Sequence, residues 1–374
     1  MKKNKVITLI TIVAMIAIAG AFFGVNHLID AYVRQQGATQ SGNQATIGQA
    51  VSPANSLIMV TMDEPEESGV CGETLEWYYK DGVLVITGTG EMNEYISSAG
   101  IAPWDSLKSQ IGLVILDEGV TSIGGAAFKG CDSMTEIVLP SSLTYIGESA
   151  FSGCGGLQQI ELTDGVTNIG DSAFLVCNSL RNIVIPDGVT NVGDMTFSSC
   201  SNLREITLPD SVTNIGESAF KGCSNLTEIT LSDALTGIGD NAFENCRSLT
   251  EIELPDVLTR IGESAFAGCS SLHDIEIPDG TIASIGNSTF SGCSGLTELT
   301  IPDSVTRIGE SAFENCSSLT ELTLPSSLIN IGKGAFSGCN ALTEIVIPDS
   351  LTSIGNGAFS GCEWLTEITI PDSV

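Results

Sequence analysis

Cysteine is the most regularly spaced residue type in this chain, and thiols can pair as disulfides, bind metal ions or act as nucleophiles. The 374 residues include 12 cysteines, and all except Cys71 recur at intervals of 23 residues, with a single interval of 24 between Cys269 and Cys293. No Cys-x-x-Cys pair and no neighbouring histidine supports a metal site, and a uniform ladder offers no reason for particular disulfide pairs. We therefore expect the repeated thiols to be buried and to pack as small apolar groups. They are Cys131, Cys154, Cys177, Cys200, Cys223, Cys246, Cys269, Cys293, Cys316, Cys339 and Cys362.

Acidic residues form a second series, and their carboxylates suggest either a stripe that binds a basic partner or Ca²⁺, or a charged row that deters aggregation. One carboxylate occupies the same position in most repeats, so stacked neighbours would lie about 5 Å apart and repel one another. Calcium prefers a cage of about six to eight oxygens, and one carboxylate per repeat is a weak signal for it. This acidic row consists of Glu136, Glu205, Glu228, Glu251, Asp274, Glu298, Glu321, Glu344 and Glu367.

Catalysis by a nucleophile would need a base oriented beside a serine or a cysteine. The chain has 2 histidines, and His273, within the repeats, has no evident partner. We interpret it as an exposed variant of a position that is usually threonine. Paired carboxylates occur only as a feature of the repeats, and nothing resembles a glycine-rich phosphate-binding loop. We expect no catalytic residue, no enzyme activity, no bound metal and no cofactor.

The elements that position these residues repeat with the same period. Each repeated cysteine follows a phenylalanine by three residues, and a fixed period of this size is typical of a solenoid in which each repeat is one coil. In the copy at 215–231, the run Leu226–Leu231 predicts a strand, and Ser218–Gly222 predicts one turn of helix packed inside the coil. Residues 111–374 therefore predict an α/β solenoid of about 11 coils, with a parallel β-sheet and short helical turns.

Function in such a solenoid should lie at outward positions, because inward positions are constrained by packing. Repeats two to four interrupt the acidic row with amides and arginines, which makes them the best candidates for a specific ligand-binding patch. Sequence drift would explain these departures equally well. The candidate patch consists of Gln158, Gln159, Arg181, Asn182 and Arg204.

The excess of acidic residues limits the classes of partner that the chain can bind. Lysine and arginine number 14, aspartate and glutamate number 45, and the formal net charge is −31. Nucleic acid is excluded as a partner, since phosphate binding needs a positive face. Basic partners and divalent cations are compatible with this charge. The simpler interpretation is that the acidic surface keeps a long protein soluble.

The N-terminal third divides into three segments before the repeats. Residues 1–25 combine lysines with an uncharged stretch at 6–25, which is long enough to span a membrane as a helix. We favour an uncleaved signal anchor over a cleaved signal peptide; both place the repeats outside the cytoplasmic membrane, at the cell surface or secreted. Residues 26–68 are polar and then acidic, which predicts a flexible linker.

Residues 69–110 differ from both neighbours and predict a β-rich N-terminal cap. Two β-prone runs, Leu75–Tyr79 and Val83–Thr87, flank Asp81–Gly82, which is a hairpin signal. Without a cap, the first coil would expose its apolar edge. We expect three aromatic residues to cover that edge rather than to bind a sugar, namely Trp77, Tyr78 and Trp104. At the other end the chain stops in mid-repeat, so we expect either an open last coil or a fragment of a longer protein.

The chain resembles the BspA-like leucine-rich repeat proteins through the pattern Leu-x-x-Ile-x-Leu-Pro-x-x-Val-x-x-Ile-Gly-x-x-Ala-Phe-x-Gly-Cys, over residues 111–374. The leader Cys71–Trp77 is also similar to the segment that precedes these repeats. The resemblance implies a leucine-rich repeat solenoid at a bacterial surface, with a role in attachment to host proteins or to other cells. It transfers no binding residue, because the family pattern describes the core. Departures from it, such as Leu175–Val176 before Cys177, put the local shape of a coil in doubt and not the fold.

Two functional hypotheses follow. The first is a surface-exposed repeat protein that mediates protein–protein interaction or adhesion to host or bacterial surface proteins. The alternative is a structural spacer that displays a distal domain missing from this chain, with interchangeable coils. The sequence names neither the ligand nor the oligomeric state.

Overall fold

The computed structural model describes residues 65–96 and 100–374. The predicted signal anchor at 1–25 and most of the predicted linker at 26–68 lie outside these residues. Within the described ranges, no helix has the length and apolar character needed to cross a bilayer.

The N-terminal cap begins with three antiparallel strands, β1 (Glu67–Val70), β2 (Leu75–Lys80) and β3 (Val83–Gly88). Strands β2 and β3 form the predicted hairpin, and both central residues have positive φ, 49° at Asp81 and 82° at Gly82, as a tight primed turn requires. Because β1 starts at Glu67, the cap begins two residues before the predicted boundary at 69 and contains one more strand than the hairpin alone.

The side chains of β2 alternate between the core and the outer face, as the two-residue period of a strand dictates. Leu75, Trp77 and Tyr79 are buried, whereas Tyr78 points outward and bonds to Glu76. Of the three aromatic residues expected to cover the first coil, Trp77 and Trp104 do so and Tyr78 does not. Tyr79 is buried instead, because side chains two residues apart in a strand lie on the same face, which places Tyr79 with Trp77.

The cap is continuous with the solenoid. Strand β3 pairs in parallel with β5 (Leu113–Leu116), and β4 (Gly90–Glu91) pairs in parallel with β6 (Val120–Ile123). A short 3-10 turn at Asp105–Leu107 lies between them.

Most coils contribute short strands to two parallel ladders, where the sequence predicted one; the coils of Ile160, Ile345 and Ile368 have no strand in the first ladder. The first ladder carries the predicted Leu-x-x-Ile strand and the second carries the Ile-Gly segment that follows the turn. The strands of the first ladder are β5, β7 (Glu136–Val138), β10 (Asn182–Val184), β12 (Glu205–Thr207), β14 (Glu228–Thr230), β16 (Glu251–Ile252), β18 (Asp274–Ile275), β20 (Glu298–Thr300) and β22 (Glu321–Thr323). The second ladder comprises β4, β6, β8 (Tyr145–Ile146), β9 (Asn168–Ile169), β11 (Asn191–Val192), β13 (Asn214–Ile215), β15 (Gly237–Ile238), β17 (Arg260–Ile261), β19 (Ser284–Ile285), β21 (Arg307–Ile308), β23 (Asn330–Ile331) and β24 (Ser353–Ile354).

The predicted helical turn at Ser218–Gly222 is wrong. Ser218 and Gly222 have φ of 55° and 73°, outside the right-handed helical region. The N–H groups of Ser218, Phe220 and Gly222 donate to carbonyls of the next coil at 2.8, 2.8 and 2.7 Å. The Lys221 N–H donates to the Ser218 carbonyl at 3.1 Å, so the segment is a tight turn that pairs with the next coil and not a turn of helix. The described residues form a β-solenoid whose helical content is the 3-10 turn Asp105–Leu107.

Two stacks of side chains fill the interior along the solenoid. Successive phenylalanine rings from Phe128 to Phe359 lie 5.3–5.6 Å apart, centroid to centroid, and nearly parallel. Trp104 extends this stack into the cap, 5.6 Å from Phe128, and its Nε1–H donates to the Ala127 carbonyl at 2.8 Å. The cysteines run beside the rings as free thiols, buried as expected in every coil except the last, where Cys362 is half-buried.

Candidate functional site

The outward face of the first ladder consists of three rows of side chains. In Glu228–Thr230 the isoleucine is buried while the glutamate and threonine are exposed, and Thr227, just before the strand, is exposed as well. Each coil thus offers a first-row residue such as Thr227, a second-row residue such as Glu228 and a third-row residue such as Thr230. Parallel in-register pairing places equivalent residues of adjacent coils about 4.8 Å apart.

The structure brings the five predicted patch residues together on three successive coils, and all five are exposed. Gln158, Arg181 and Arg204 are neighbours in the first row: the N–H of Arg181 donates to the Gln158 carbonyl at 3.2 Å, and that of Arg204 to the Arg181 carbonyl at 3.1 Å. Gln159 and Asn182 are neighbours in the second row and are joined by a parallel bridge. We call these five residues the polar patch.

The acidic row occupies the second row on the C-terminal side of the polar patch. Glu205 pairs with Glu228, Glu251 with Asp274, and Glu298 with Glu321. Their carboxylates are exposed, as are those of Glu344 and Glu367. Across the ranges that the structure covers, no three His, Cys, Asp or Glu side chains are grouped so that they could hold a metal ion.

Glu136 is the exception in the acidic row because it is half-buried. Burial, followed by the negative charge of Glu161, raises the pKa of the Glu136 carboxyl. It lies beside apolar outward residues of the first strands: Val85, Leu113 and Ile115 are only 3, 6 and 5% exposed. In the second row, the exposed residues therefore begin at Gln159.

His273 is an exposed first-row residue, as predicted, and its Nδ1 bonds to the Thr250 carbonyl. First-row threonines make the same contact with their hydroxyls, for example Thr227 with the Arg204 carbonyl at 3.0 Å. The imidazole therefore replaces a threonine hydroxyl in a structural contact.

Two features escaped the sequence reasoning. Val184, in the third row beside the polar patch, is 77% exposed; an outward valine in a position mostly held by threonine or glutamate was the available signal.

A cavity of about 300 Å³ also lies between the cap and the first coil, with Trp104, Lys108 and Lys129 among its lining residues. It is formed by segments that are distant in sequence, so no motif could have indicated it.

The model of the BspA type leucine-rich repeat region matches this chain in 6 copies, over residues 107–227, 190–316 and 272–374. The chain belongs to the BspA-type leucine-rich repeat family. The family match covers the same repeats that the spacing of the cysteines and phenylalanines indicated. The family is of surface type, and leucine-rich repeat proteins generally bind other proteins and are generally not enzymes.

Solved structures of bacterial leucine-rich repeat proteins are also similar to this chain. A leucine-rich repeat protein from Bacteroides ovatus is 26% identical, with a TM-score of 0.60, over 79% of this chain and 92% of that one. Another, from Eubacterium ventriosum, is 26% identical, with a TM-score of 0.51, over 81% and 97%. A leucine-rich cell surface protein from Faecalibacterium prausnitzii is 26% identical, with a TM-score of 0.44, over 80% and 97%. No curated protein is significantly similar to this chain in sequence.

Proposed function

We propose that this BspA-type protein is a surface-exposed binding module that adheres to host or bacterial surface proteins through the polar patch. The observation that carries the proposal is that these five non-consensus residues are exposed together on three adjacent coils of one face. Residues 6–25 would hold the module at the membrane if they are not cleaved.

The remaining outward surface supports the same proposal. The acidic row on the C-terminal side of the patch repels further acidic surfaces and carries no grouping suited to a metal. A solenoid exposes a long face with little rearrangement of its core, which suits recognition of large protein surfaces.

Binding is tested with the full chain on immobilised host matrix proteins and on bacterial cells. The variant Arg181→Thr/Arg204→Thr installs the residue found at Thr227, and Arg307→Thr, on the second ladder, is a matched control for loss of an exposed arginine. We expect saturable binding that weakens tenfold or more in the double variant and is unchanged in the control. Equal binding by all three proteins would contradict a role for the patch.

The spacer hypothesis is separated from this one by deletions of whole coils. Removing residues 155–200 takes out two coils of 23 residues and most of the polar patch, whereas removing 224–269 takes out two coils and leaves the patch intact. Both deletions join equivalent positions, so both should fold. A binding module loses activity only with the first deletion, while a spacer tolerates both.

A further inference from the structure

We infer that the polar patch recognises a short acidic segment of a protein partner, in which a carboxylate lies within about three residues of an aliphatic side chain. This inference rests on the proposed function and adds the chemistry of the partner to it.

The two arginines of the patch are available to a ligand. Three other cations of the solenoid, Lys221, Arg260 and Lys333, are held by Glu244, Asp240 and Glu310 at 2.7, 2.8 and 2.9 Å. Arg247 and Arg307 are exposed and without an ion pair to a described residue, but they are not neighbours on adjacent coils. Arg181 and Arg204 are exposed, and no ion pair joins them to any other described residue. A guanidinium is a planar fork whose N–H groups match the two oxygens of a carboxylate. Two such forks on adjacent coils, about 4.8 Å apart, can clamp one carboxylate or two neighbouring ones.

The surroundings limit the length of an acidic ligand. Glu205 adjoins Arg204 in the same coil and Glu228 follows it in the second row, while Glu161, in the coil of Gln158, is the third-row neighbour of Val184. The window without a carboxylate in the second row consists of Gln159 and Asn182, between Glu136 and Glu205, which lie about 14 Å apart along the solenoid. A long polyanion would run over the flanking carboxylates within the screening length of about 8 Å and be repelled. A short acidic segment in a protein fits the window.

Val184 supplies the apolar half of the site. Its side chain is 77% exposed and lies in the same strand, β10, as Asn182. The equivalent residues in the next two coils are Thr207 and Thr230. A ligand that crosses the coil along the strand would meet Arg181 first and Val184 about 10 Å later, again about three residues of extended chain. Burying an aliphatic side chain against Val184 would favour Leu, Ile or Val at that place.

The test selects ligands from a bead-bound library of random hexapeptides with the labelled full chain. Peptides retained by the wild type and lost by Arg181→Thr/Arg204→Thr should be enriched in Asp or Glu with Leu, Ile or Val within three residues. Replacing that acid with its amide should weaken binding tenfold or more, and Val184→Thr should weaken it about threefold. The charge reversal Arg181→Glu/Arg204→Glu should switch the selected peptides to Lys and Arg, whereas Arg307→Glu should select the same peptides as the wild type.

Several outcomes would overturn the inference. One is patch-dependent binding that is unchanged when the acid becomes an amide; this would leave the proposed function intact and remove only the acidic partner. A second is a selection without acidic enrichment. A third is stronger retention on heparin beads than on the selected peptides, which would identify a polyanionic polysaccharide instead. If the proposed function itself is wrong, the result is different: Arg181→Thr/Arg204→Thr binds host and bacterial surfaces as strongly as the wild type does.

Discussion

The thiol of Cys223 donates a hydrogen bond to the carbonyl of Phe197, 26 residues earlier in the chain, at a distance of 3.1 Å. The same bond joins each coil to the one before it, from Cys154 with Phe128 to Cys362 with Phe336. An alanine would fill less of the space and leave the carbonyl without this donor. The contact explains the cysteine at this position by packing and hydrogen bonding, without disulfides or metal.

We predict that Cys223→Ala lowers the free energy of unfolding by about 1–2 kcal/mol, the sum of a small cavity and a lost weak hydrogen bond. Urea denaturation followed by circular dichroism measures the change. Cys362→Ala is the matched control: its thiol makes the same bond but is half-buried in the last coil, so the loss should be smaller. Equal losses at the two sites would argue against burial as the cause.

Thiol reactivity should follow the same gradient of burial. Burial raises the pKa of Cys223 and of Cys269 to about 12, so that almost no thiolate, the reactive form, is present at neutral pH. We predict that Ellman's reagent modifies Cys362 first in the native protein and the other described thiols only with unfolding. Mass spectrometry of the modified peptides identifies the site. Rapid native labelling of Cys223 would show that the coils open readily.

Val176 should destabilise its coil. Its φ is 62°, and a β-branched residue in this left-handed region is strained by about 1–2 kcal/mol. Equivalent positions in other coils hold Gly153 and Gly222, also with positive φ. Allowing for the greater freedom of glycine in the unfolded chain, about 0.5–1 kcal/mol, Val176→Gly should stabilise the protein by about 0.5–1 kcal/mol.

Urea denaturation measures this gain, and Val184→Gly is the control. Val184 is also an exposed valine, but it lies in strand β10, where glycine should destabilise by up to about 1 kcal/mol. A loss of stability in Val176→Gly would mean that the valine makes contacts that outweigh its backbone strain.

The sequence predicted the solenoid, its core and the exposed patch because these depend on spacing and on side-chain alternation. Spacing alone did not reveal the backbone of Ser218–Gly222, since small residues around a buried Ala-Phe pair suit a helical turn as well as a turn with two positive φ values. The run Trp77-Tyr78-Tyr79 has aromatic residues on both faces of β2, and the two-residue alternation counted from Trp77 would have assigned Tyr79, and not Tyr78, to the core. The cavity beside Trp104 depends on contact between the cap and the first coil, which no local pattern records.

Glu136 provides a prediction about pH. Burial, and then the charge of Glu161, raises its pKa in the folded state above the value of about 4.3 expected for an unfolded chain. The folded state therefore holds this proton more tightly, and the carboxyl lowers stability increasingly as the pH rises from about 4.3 through the folded pKa. We predict that Glu136→Gln has a higher melting temperature than the wild type at pH 7 and that the difference vanishes near pH 4.

Thermal unfolding of variant and wild type at each pH tests this, because the difference between them removes the pH dependence of the other carboxylates. Glu228→Gln is the matched control: Glu228 occupies the same row two strands beyond the polar patch's Asn182, but its carboxylate is exposed. Because that side chain is exposed, its substitution should change the melting temperature less than Glu136→Gln does. A Glu136→Gln variant that melts below the wild type at pH 7 would show that the carboxylate makes a stabilising contact, and the burial of Glu136 would then not be the controlling effect.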